Sequence, residues 1–192
     1  MNTPNKKHLE IMAPAGNFEC LMAAIQGGAD SVYFGVEKLN MRSHSANNFK
    51  MTDLDEIVRI CSEYGVKTYL TLNTVMYPED LPLMREIVDH AKQAGVSAII
   101  ASDIAALQYA YNQGVGVHLS TQLNIANTEA LKFYAKFADV VVLARELNME
   151  QVASIHRDIV EQDIRGPKGE LIRIEMFCHG ALCMAVSGKC YL

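Results

Sequence analysis

Short apolar runs alternate along the chain with longer segments in which apolar residues recur at helical spacing. In the first of these longer segments, Leu21, Met22 and Ile25 lie on one side of a predicted helix. The apolar runs predict strands over residues 9–13, 31–35, 67–72, 98–101, 115–119, 140–143 and 171–177. Strands that alternate with helices in this way predict right-handed βαβ units around a parallel sheet.

The number of units favours a barrel. Seven strands and their helices fit a (β/α)8 TIM-like barrel that is one unit short. A doubly wound open sheet is the alternative, but the turn after the first strand lacks the glycine pattern of a dinucleotide site. We therefore predict a single α/β domain over residues 1–192, a TIM-like barrel that is incomplete in this chain, with about seven β/α units.

Such a barrel leaves its first and last strands with unpaired edges, which are prone to pair with other chains. We therefore expect the chain to be truncated at its carboxyl end, as the front part of a longer protein, or to be a short variant that associates with a partner. In the second case the open edges predict a homo- or hetero-oligomer.

The composition is that of an ordinary soluble α/β domain. Of the 192 residues, 50% are hydrophobic and 20% are charged, and no apolar run approaches the ~20 residues of a membrane span. The first eight residues lack the apolar core of a signal peptide, so we expect a cytoplasmic protein without membrane contact. The net charge of −5 creates no global attraction for nucleic acid, so such a partner would need a local patch.

Polar residues follow the predicted strands, at the end where (β/α)8 barrels hold their active sites. The candidates for catalysis are Arg42, Asn73, His118, Arg145 and His179. Amides, hydroxyls and arginines together suit a polar, anionic small molecule or an exposed nucleobase. For the two arginines the alternative is an ion pair with Glu37 or Glu146. For His118 the alternative is a hydrogen-bonded position in the core.

A second group of polar residues at the same end is suited to binding a substrate through hydrogen bonds. Its members are Asn17, Asn40, Ser120, Gln122 and Asn124. Asn17 also stands where it would cap the first helix, a common role for asparagine at that position.

Three of the five cysteines lie in the final eighteen residues, namely Cys178, Cys183 and Cys190. The other two, Cys20 and Cys61, fall on apolar faces of helices, and we expect them to pack in the core. Because intracellular thiols stay reduced, clustered cysteines indicate metal ligands or a nucleophile. The spacing itself matches neither a zinc ribbon nor a ferredoxin, so on its own it is a weak metal signal.

The same segment carries a recognisable string. Glu-x-Phe-x-x-Gly-Ala-Leu-Cys-x-x-x-x-Gly-x-Cys-x-Leu, from Glu175 to Leu192, resembles the signature of the U32 family of collagenase-like peptidases. Further stretches at residues 12–17, 28–35, 118–122 and 143–147 strengthen the resemblance. It spans essentially the whole chain and also favours the TIM-like barrel.

The resemblance implies a function that composition and spacing do not. Better understood members of the family resemble oxygen-independent hydroxylases that hold a [4Fe-4S] cluster on four cysteines. The branch that hydroxylates the wobble uridine of tRNA looks most similar, and its hydroxyl source is prephenate, a small anionic co-substrate. A related branch acts on rRNA. By position, Cys183 and Cys190 match the first two cluster ligands. The other two are expected after residue 192, so we expect this 192-residue chain to lack the cluster.

Two other functions remain open. The family's founding label implies a peptidase, but neither His-Glu-x-x-His nor Gly-x-Ser-x-Gly occurs in the sequence. The nucleophile would then be a cysteine such as Cys183, with His179 nearby as the base. A non-catalytic fragment or subunit that associates through its open barrel edges is the third hypothesis.

Overall fold

The computed structural model describes residues 9–41 and 49–180, and within them the predicted sheet is present. Its seven strands are β1 Met12–Pro14, β2 Ser31–Gly35, β3 Lys67–Leu72, β4 Ala98–Ala101, β5 Val117–Leu119, β6 Val140–Val142 and β7 Arg173–Glu175. Their spatial order is β1-β2-β3-β4-β5-β6-β7, and each neighbouring pair is parallel. The predicted incomplete (β/α)8 barrel is therefore confirmed.

Helices connect successive strands, and each begins near the carboxyl end of the strand before it. They are α1 Phe18–Gln26, α2 Leu54–Glu63, α3 Leu81–Ala94, α4 Ile104–Asn112, α5 Thr128–Ala135 and α6 Met149–Glu161. Short 3-10 turns over Met51–Asp53 and Pro78–Asp80 precede α2 and α3, and another over Thr121–Leu123 follows β5. No helix among the described residues is long and apolar enough to cross a membrane.

The outer face of the sheet forms the main core. Phe34, Leu70 and Ile99 are fully buried there and pack with Leu21 of α1 and Ile57 of α2. Strand side chains alternate between the two faces, so the sheet contributes every second residue to this layer. The helices bury their apolar stripes on it.

The inner face of the sheet lines the inside of the barrel and holds a smaller apolar cluster. Tyr69, Ala98 and Ile100 are buried in this cluster, and Met12 and Tyr33 pack against it. These residues alternate with those of the outer core, as the period of a strand requires. The inside of the barrel is therefore aromatic as well as aliphatic.

Four predicted strands are longer than the observed ones, and the strand predicted over 140–143 ends one residue earlier, at Val142. The predictions over 115–119 and 171–177 shorten to Val117–Leu119 and Arg173–Glu175, and the one over 9–13 becomes Met12–Pro14, which is shorter and ends one residue later. β1 and β7 are the two edges of the sheet, so each has one neighbour to define its length. Leu9 and Ile11, which precede β1, are 84% and 61% exposed, so their apolar character does not extend the strand.

The prediction that Cys20 packs in the core is wrong. Its side chain is exposed at the start of α1, about 100° around the helix axis from buried Leu21. Cys61 is buried as predicted, and burial raises the pKa of its thiol to about 11. Because a thiol with so high a pKa is protonated at neutral pH, Cys61 is a packing residue and not a nucleophile.

Candidate functional site at the carboxyl end of the barrel

Three polar side chains meet at the carboxyl ends of β3 and β5, and we call them the amide cluster: Asn73, Ser120 and Gln122. Nδ2 of Asn73 lies 3.4 Å from Oγ of Ser120 and 3.3 Å from Oε1 of Gln122. Ser120 donates a hydrogen bond to the same Oε1. The Oδ1 atom of Asn73 accepts from the backbone N–H of Met41, 3.2 Å away, which ties the cluster to the loop after β2. The structure thus brings these three predicted residues together.

Two hydroxyl groups beside the amide cluster lack a hydrogen-bond partner among the described residues. They belong to Thr74, which follows Asn73, and to Thr121, which follows Ser120; both oxygens are buried. Buried polar groups in proteins nearly always have a partner, so unpartnered ones need an explanation. Their place at the strand ends makes them natural hydrogen-bonding groups for a bound ligand or water.

An arginine and a phenylalanine lie together after β6 and β7. The guanidinium carbon of Arg145 is 5.9 Å from the centre of the Phe177 ring. Phe177 is 55% exposed, and Arg145 is exposed as well. A cation over an aromatic face is a favourable arrangement. The pair presents a flat, positively charged surface to solvent beside the mouth of the barrel.

His118 lies inside the barrel on β5 and is 6% exposed. Its ring centre is 4.4 Å from that of Tyr69. Its Nδ1 atom has no hydrogen-bond partner among the described residues, and Oε2 of Glu175 on β7 is 3.8 Å away. The residue is thus buried, as the core alternative expected, but it faces the barrel interior and a carboxylate.

The amino end of the barrel interior holds three charged residues and a tyrosine, which we call the ion cluster: Glu10, Lys67, Arg173 and Tyr69. The carboxylate of Glu10 accepts hydrogen bonds from Lys67, at 2.6 Å, and from the hydroxyl of Tyr69. Nη1 of Arg173 is 3.9 Å from Glu10. Since Glu10 precedes β1 and Arg173 begins β7, this contact links the two edges of the incomplete barrel.

The ion cluster changes the proton affinity of its members. Burial disfavours the charged form of Glu10, but the hydrogen bonds from Lys67 and Tyr69 outweigh burial and lower its pKa from 4.5 to about 2. The pKa of Tyr69 is raised by burial and by the neighbouring Glu10 carboxylate. Glu10 is therefore charged, and Tyr69 neutral, over the physiological range.

Three predicted binding residues have evident structural roles. Asn17 caps α1 through its side-chain oxygen. Asn40 is fully buried, and its amide donates to the backbone carbonyls of Val36 and Glu37 at 3.1 and 3.3 Å. Asn124 ends the turn after β5 in the left-handed conformation, with φ of 52°, which asparagine tolerates better than most residues. Of the three, Asn124 is exposed and so accessible to a ligand.

The remaining predicted residues lie after β7 or outside the described ranges. Arg42, Cys183 and Cys190 fall outside residues 9–41 and 49–180. His179 and its neighbour Cys178 are exposed. The described part of the chain contains no group of three or more side chains placed to hold a metal ion. The described residues thus do not fit an iron–sulfur cluster by themselves, and the predicted ligands lie outside them.

Sequence reasoning missed the carboxylates inside the barrel. Glu175 was recognised as the first residue of a motif, but not as a neighbour of His118. Glu10 and Tyr69 are 59 residues apart, and no local pattern connects them. The alternation of side chains along β3 and β7 was the available signal, since it puts Tyr69 and Glu175 on the inner face.

The sequence profile of peptidase family U32 matches residues 16–192. The chain belongs to this family. A U32 protein named collagenase from Porphyromonas gingivalis is 66% identical over 98% of this chain and 45% of its own length. A 23S rRNA 5-hydroxycytidine synthase of Escherichia coli is 34% identical over 99% of this chain and 27% of its own length. The tRNA hydroxylation protein P1 of Bacillus subtilis is 34% identical over 97% of this chain and 42% of its own length.

This U32 chain spans less than half the length of these curated relatives. A solved structure, that of the U32 peptidase Mk0906, has the same fold, with a TM-score of 0.67 over 82% of this chain and 68% of that one. The sequence identity is 14%, so this likeness concerns the fold alone.

Proposed function

We propose that this U32 chain is part of an oxygen-independent RNA hydroxylase that adds a hydroxyl group to C5 of a pyrimidine base, the wobble uridine of tRNA. The amide cluster carries the proposal. Its amide and hydroxyl groups offer donors and acceptors, and the unpartnered hydroxyls of Thr74 and Thr121 lie beside it. The edge of a pyrimidine displays the complementary carbonyl and N–H groups.

The surface beside the amide cluster suits an unpaired base. Proteins recognise single-stranded RNA by stacking bases on aromatic rings or on arginine, and by hydrogen bonds to the base edges. Phe177 and Arg145 provide the flat surface and the positive charge. A net charge of −5 does not forbid RNA, because a local patch suffices and the relatives are more than twice as long.

The names of relatives support the same reading. Two U32 proteins that match nearly the whole of this chain are named for the hydroxylation of rRNA and of tRNA. A shared activity would require a shared pocket, and the incomplete barrel is the part that they have in common with this chain. That the substrate is uridine in tRNA, and not cytidine in rRNA, is part of what we propose.

The proposed reaction needs more than the described residues provide. We assign to the full-length protein a [4Fe-4S] cluster, with Cys183 and Cys190 as two of its ligands, and prephenate as the co-substrate. The cluster would supply the redox chemistry of hydroxyl transfer. The described residues would bind and orient the base and the small anion, and we assign Arg145 as a cation that contacts this anion.

A peptidase is the second candidate, because the relative at 66% identity is named collagenase. A cysteine peptidase needs a thiol next to a base that is itself oriented by a third group. Cys178 and His179 are both exposed, and within the described ranges no hydrogen bond joins the two side chains. Cys183, the predicted nucleophile, lies outside the described residues, so Cys178 and His179 alone form no assembled cysteine–histidine site.

The test is nucleoside mass spectrometry of tRNA and rRNA from a strain in which the full-length gene is deleted. We expect 5-hydroxyuridine derivatives to disappear from tRNA, to return with the wild-type gene and to stay absent with Asn73→Ala. Gln108→Ala, an exposed change on α4, is the matched control and should restore them. An unchanged tRNA profile would contradict the proposal. A loss of 5-hydroxycytidine from rRNA would instead indicate that rRNA is the substrate. Gelatin cleavage abolished by Cys183→Ser would favour the peptidase.

A further inference from the structure

The imidazole of His118 is held in the barrel interior by groups that neither the family resemblance nor the relatives' names explain. It is 6% exposed, and the ring of Tyr69 lies against it at 4.4 Å. Tyr69 is itself fixed, because its hydroxyl donates to Glu10, which stays charged down to a pH of about 2. The tyrosine ring therefore packs against the histidine ring, and its hydroxyl does not donate a hydrogen bond to it.

Glu175 is the carboxylate that faces His118. Its Oε2 is 3.8 Å from the buried Nδ1, which has no hydrogen-bond partner in the described ranges. The register puts His118 beside Val140, and Val142 beside Glu175, so both polar residues project from the inner face of the sheet. A shift of roughly 0.6–1 Å in the Glu175 side chain would bring the two atoms within the usual hydrogen-bond distance. Hydrogen bonds in active sites are often long without ligand and shorten when it binds.

A carboxylate beside one ring nitrogen decides which nitrogen of a neutral histidine carries the proton. We propose that Glu175 is a positioning residue that keeps the proton of His118 on Nδ1 and leaves the lone pair of Nε2 for a ligand in the barrel mouth. The ligand class is a molecule with a hydroxyl group to deprotonate. When the ligand O–H bond breaks, its electron pair stays on the ligand oxygen as an alkoxide, a bond from Nε2 to the proton forms, and the Glu175 carboxylate balances the imidazolium charge. This inference rests on the proposed function for its substrate, but not for its geometry.

The geometry is tested without any substrate, by NMR of the full-length protein labelled with ¹⁵N in its histidines. At mildly alkaline pH, the resonances that vanish in His118→Gln should show a proton on Nδ1 and none on Nε2. Glu175→Gln, which can donate to Nδ1, should shift the proton toward Nε2. Glu161→Gln, an exposed change on α6, should leave the spectrum unchanged. A wild-type proton on Nε2, protons on both nitrogens, or an unaltered spectrum in Glu175→Gln would each overturn the assignment.

Kinetics then separates this inference from the proposed function. Glu175→Gln should lower kcat for tRNA hydroxylation about 10- to 100-fold, with little change in KM for RNA. This is less than the ~10²- to 10⁴-fold contribution of a general base, because the variant keeps His118 and loses only its orientation. Glu175→Asp should recover part of the loss, because it restores the carboxylate. Equal activity of Glu175→Gln and wild type would refute the positioning role. The expected tautomer in a protein that hydroxylates no RNA would refute the proposed function and leave the Glu175–His118 assignment standing.

Discussion

The two ends of the barrel use their polar residues in opposite ways. At the amino end, the charges of the ion cluster satisfy one another, and the Glu10–Arg173 contact links β1 to β7. At the carboxyl end, the amide cluster is neutral, and two hydroxyls beside it have no partner among the described residues. Polar groups that satisfy one another stabilise a fold, whereas buried unpartnered ones need an explanation, and we propose ligand binding for the two hydroxyls. The comparison assigns stability to one end and recognition to the other, as in other TIM-like barrels.

The largest effect is expected from the carboxyl end. Asn73→Ala combined with Gln122→Ala removes the amide cluster, and we expect tRNA hydroxylation by the full-length protein to fall about 100-fold or more. The free energy of unfolding should change little, because neither side chain belongs to the apolar core. Both quantities are measured on purified protein, by nucleoside mass spectrometry and by urea denaturation. A large loss of stability with retained activity would reverse the assignment of the two ends.

The amino end should behave in the opposite way. Glu10→Gln leaves Lys67 and Arg173 without their shared carboxylate, and we expect a loss of about 1–2 kcal/mol in the free energy of unfolding. Hydroxylation should remain near the wild-type level, since the mutation lies at the far end of the barrel. Lys92→Met, an exposed change on α3, controls for the loss of a surface charge. Wild-type stability in Glu10→Gln would mean that the ion cluster is not stabilising.

The contribution of Glu10 should also depend on pH in a defined direction. Its pKa is lowered from 4.5 to about 2 in the folded protein, so the folded state binds this proton less readily than the unfolded state. The stabilisation is therefore complete above pH 4.5 and is lost as the pH falls from 4.5 toward about 2. Urea denaturation of wild type and Glu10→Gln across this range should give a stability difference that shrinks on acidification. A difference that grows would contradict the sign.

A smaller effect is expected at the margin of the carboxyl end. Phe177→Leu keeps an apolar side chain but removes the ring beside Arg145, and we expect KM for RNA to rise several-fold, in keeping with about 1 kcal/mol for one lost stacking contact. The rate at saturating RNA should equal that of the wild type, because Phe177 lies outside the amide cluster. Tyr64→Leu, an exposed aromatic change after α2, is the matched control. An unchanged KM would remove Phe177 from the RNA-binding surface.

The sequence predicts the repeating part of this fold well. Ser31–Gly35, Lys67–Leu72 and Ala98–Ala101 have the predicted bounds, because central strands are covered on both faces and their apolar runs stop at turns. The parallel order also follows from the alternation of strands and helices. It brings the residues after β3 and β5 to one end, so the meeting of Asn73 with Gln122 was predictable from topology.

Other features depend on contacts that no local pattern contains. Asn40 reads as a polar loop residue, but the loop folds back and buries it beside Gly35, where a Cβ would lie 2.4 Å from the Asn40 side chain. The hydrogen bond from the Tyr69 hydroxyl to Glu10 joins residues that are 59 positions apart in the sequence. Cys20 lies at the edge of an apolar stripe, where the orientation of the helix on the sheet decides between core and solvent. These details come from packing and not from periodicity.

The measurement that tests the central claim most directly compares one variant from each end in the same strain. A deletion strain carrying the full-length gene with Asn73→Ala or with Glu10→Gln is assayed for 5-hydroxyuridine derivatives in tRNA, with each signal divided by the amount of folded protein. The account predicts that Asn73→Ala abolishes the modification and that Glu10→Gln retains it per folded molecule. Retention in Asn73→Ala, or equal loss in both variants, would contradict the separation of a binding end from a stabilising end.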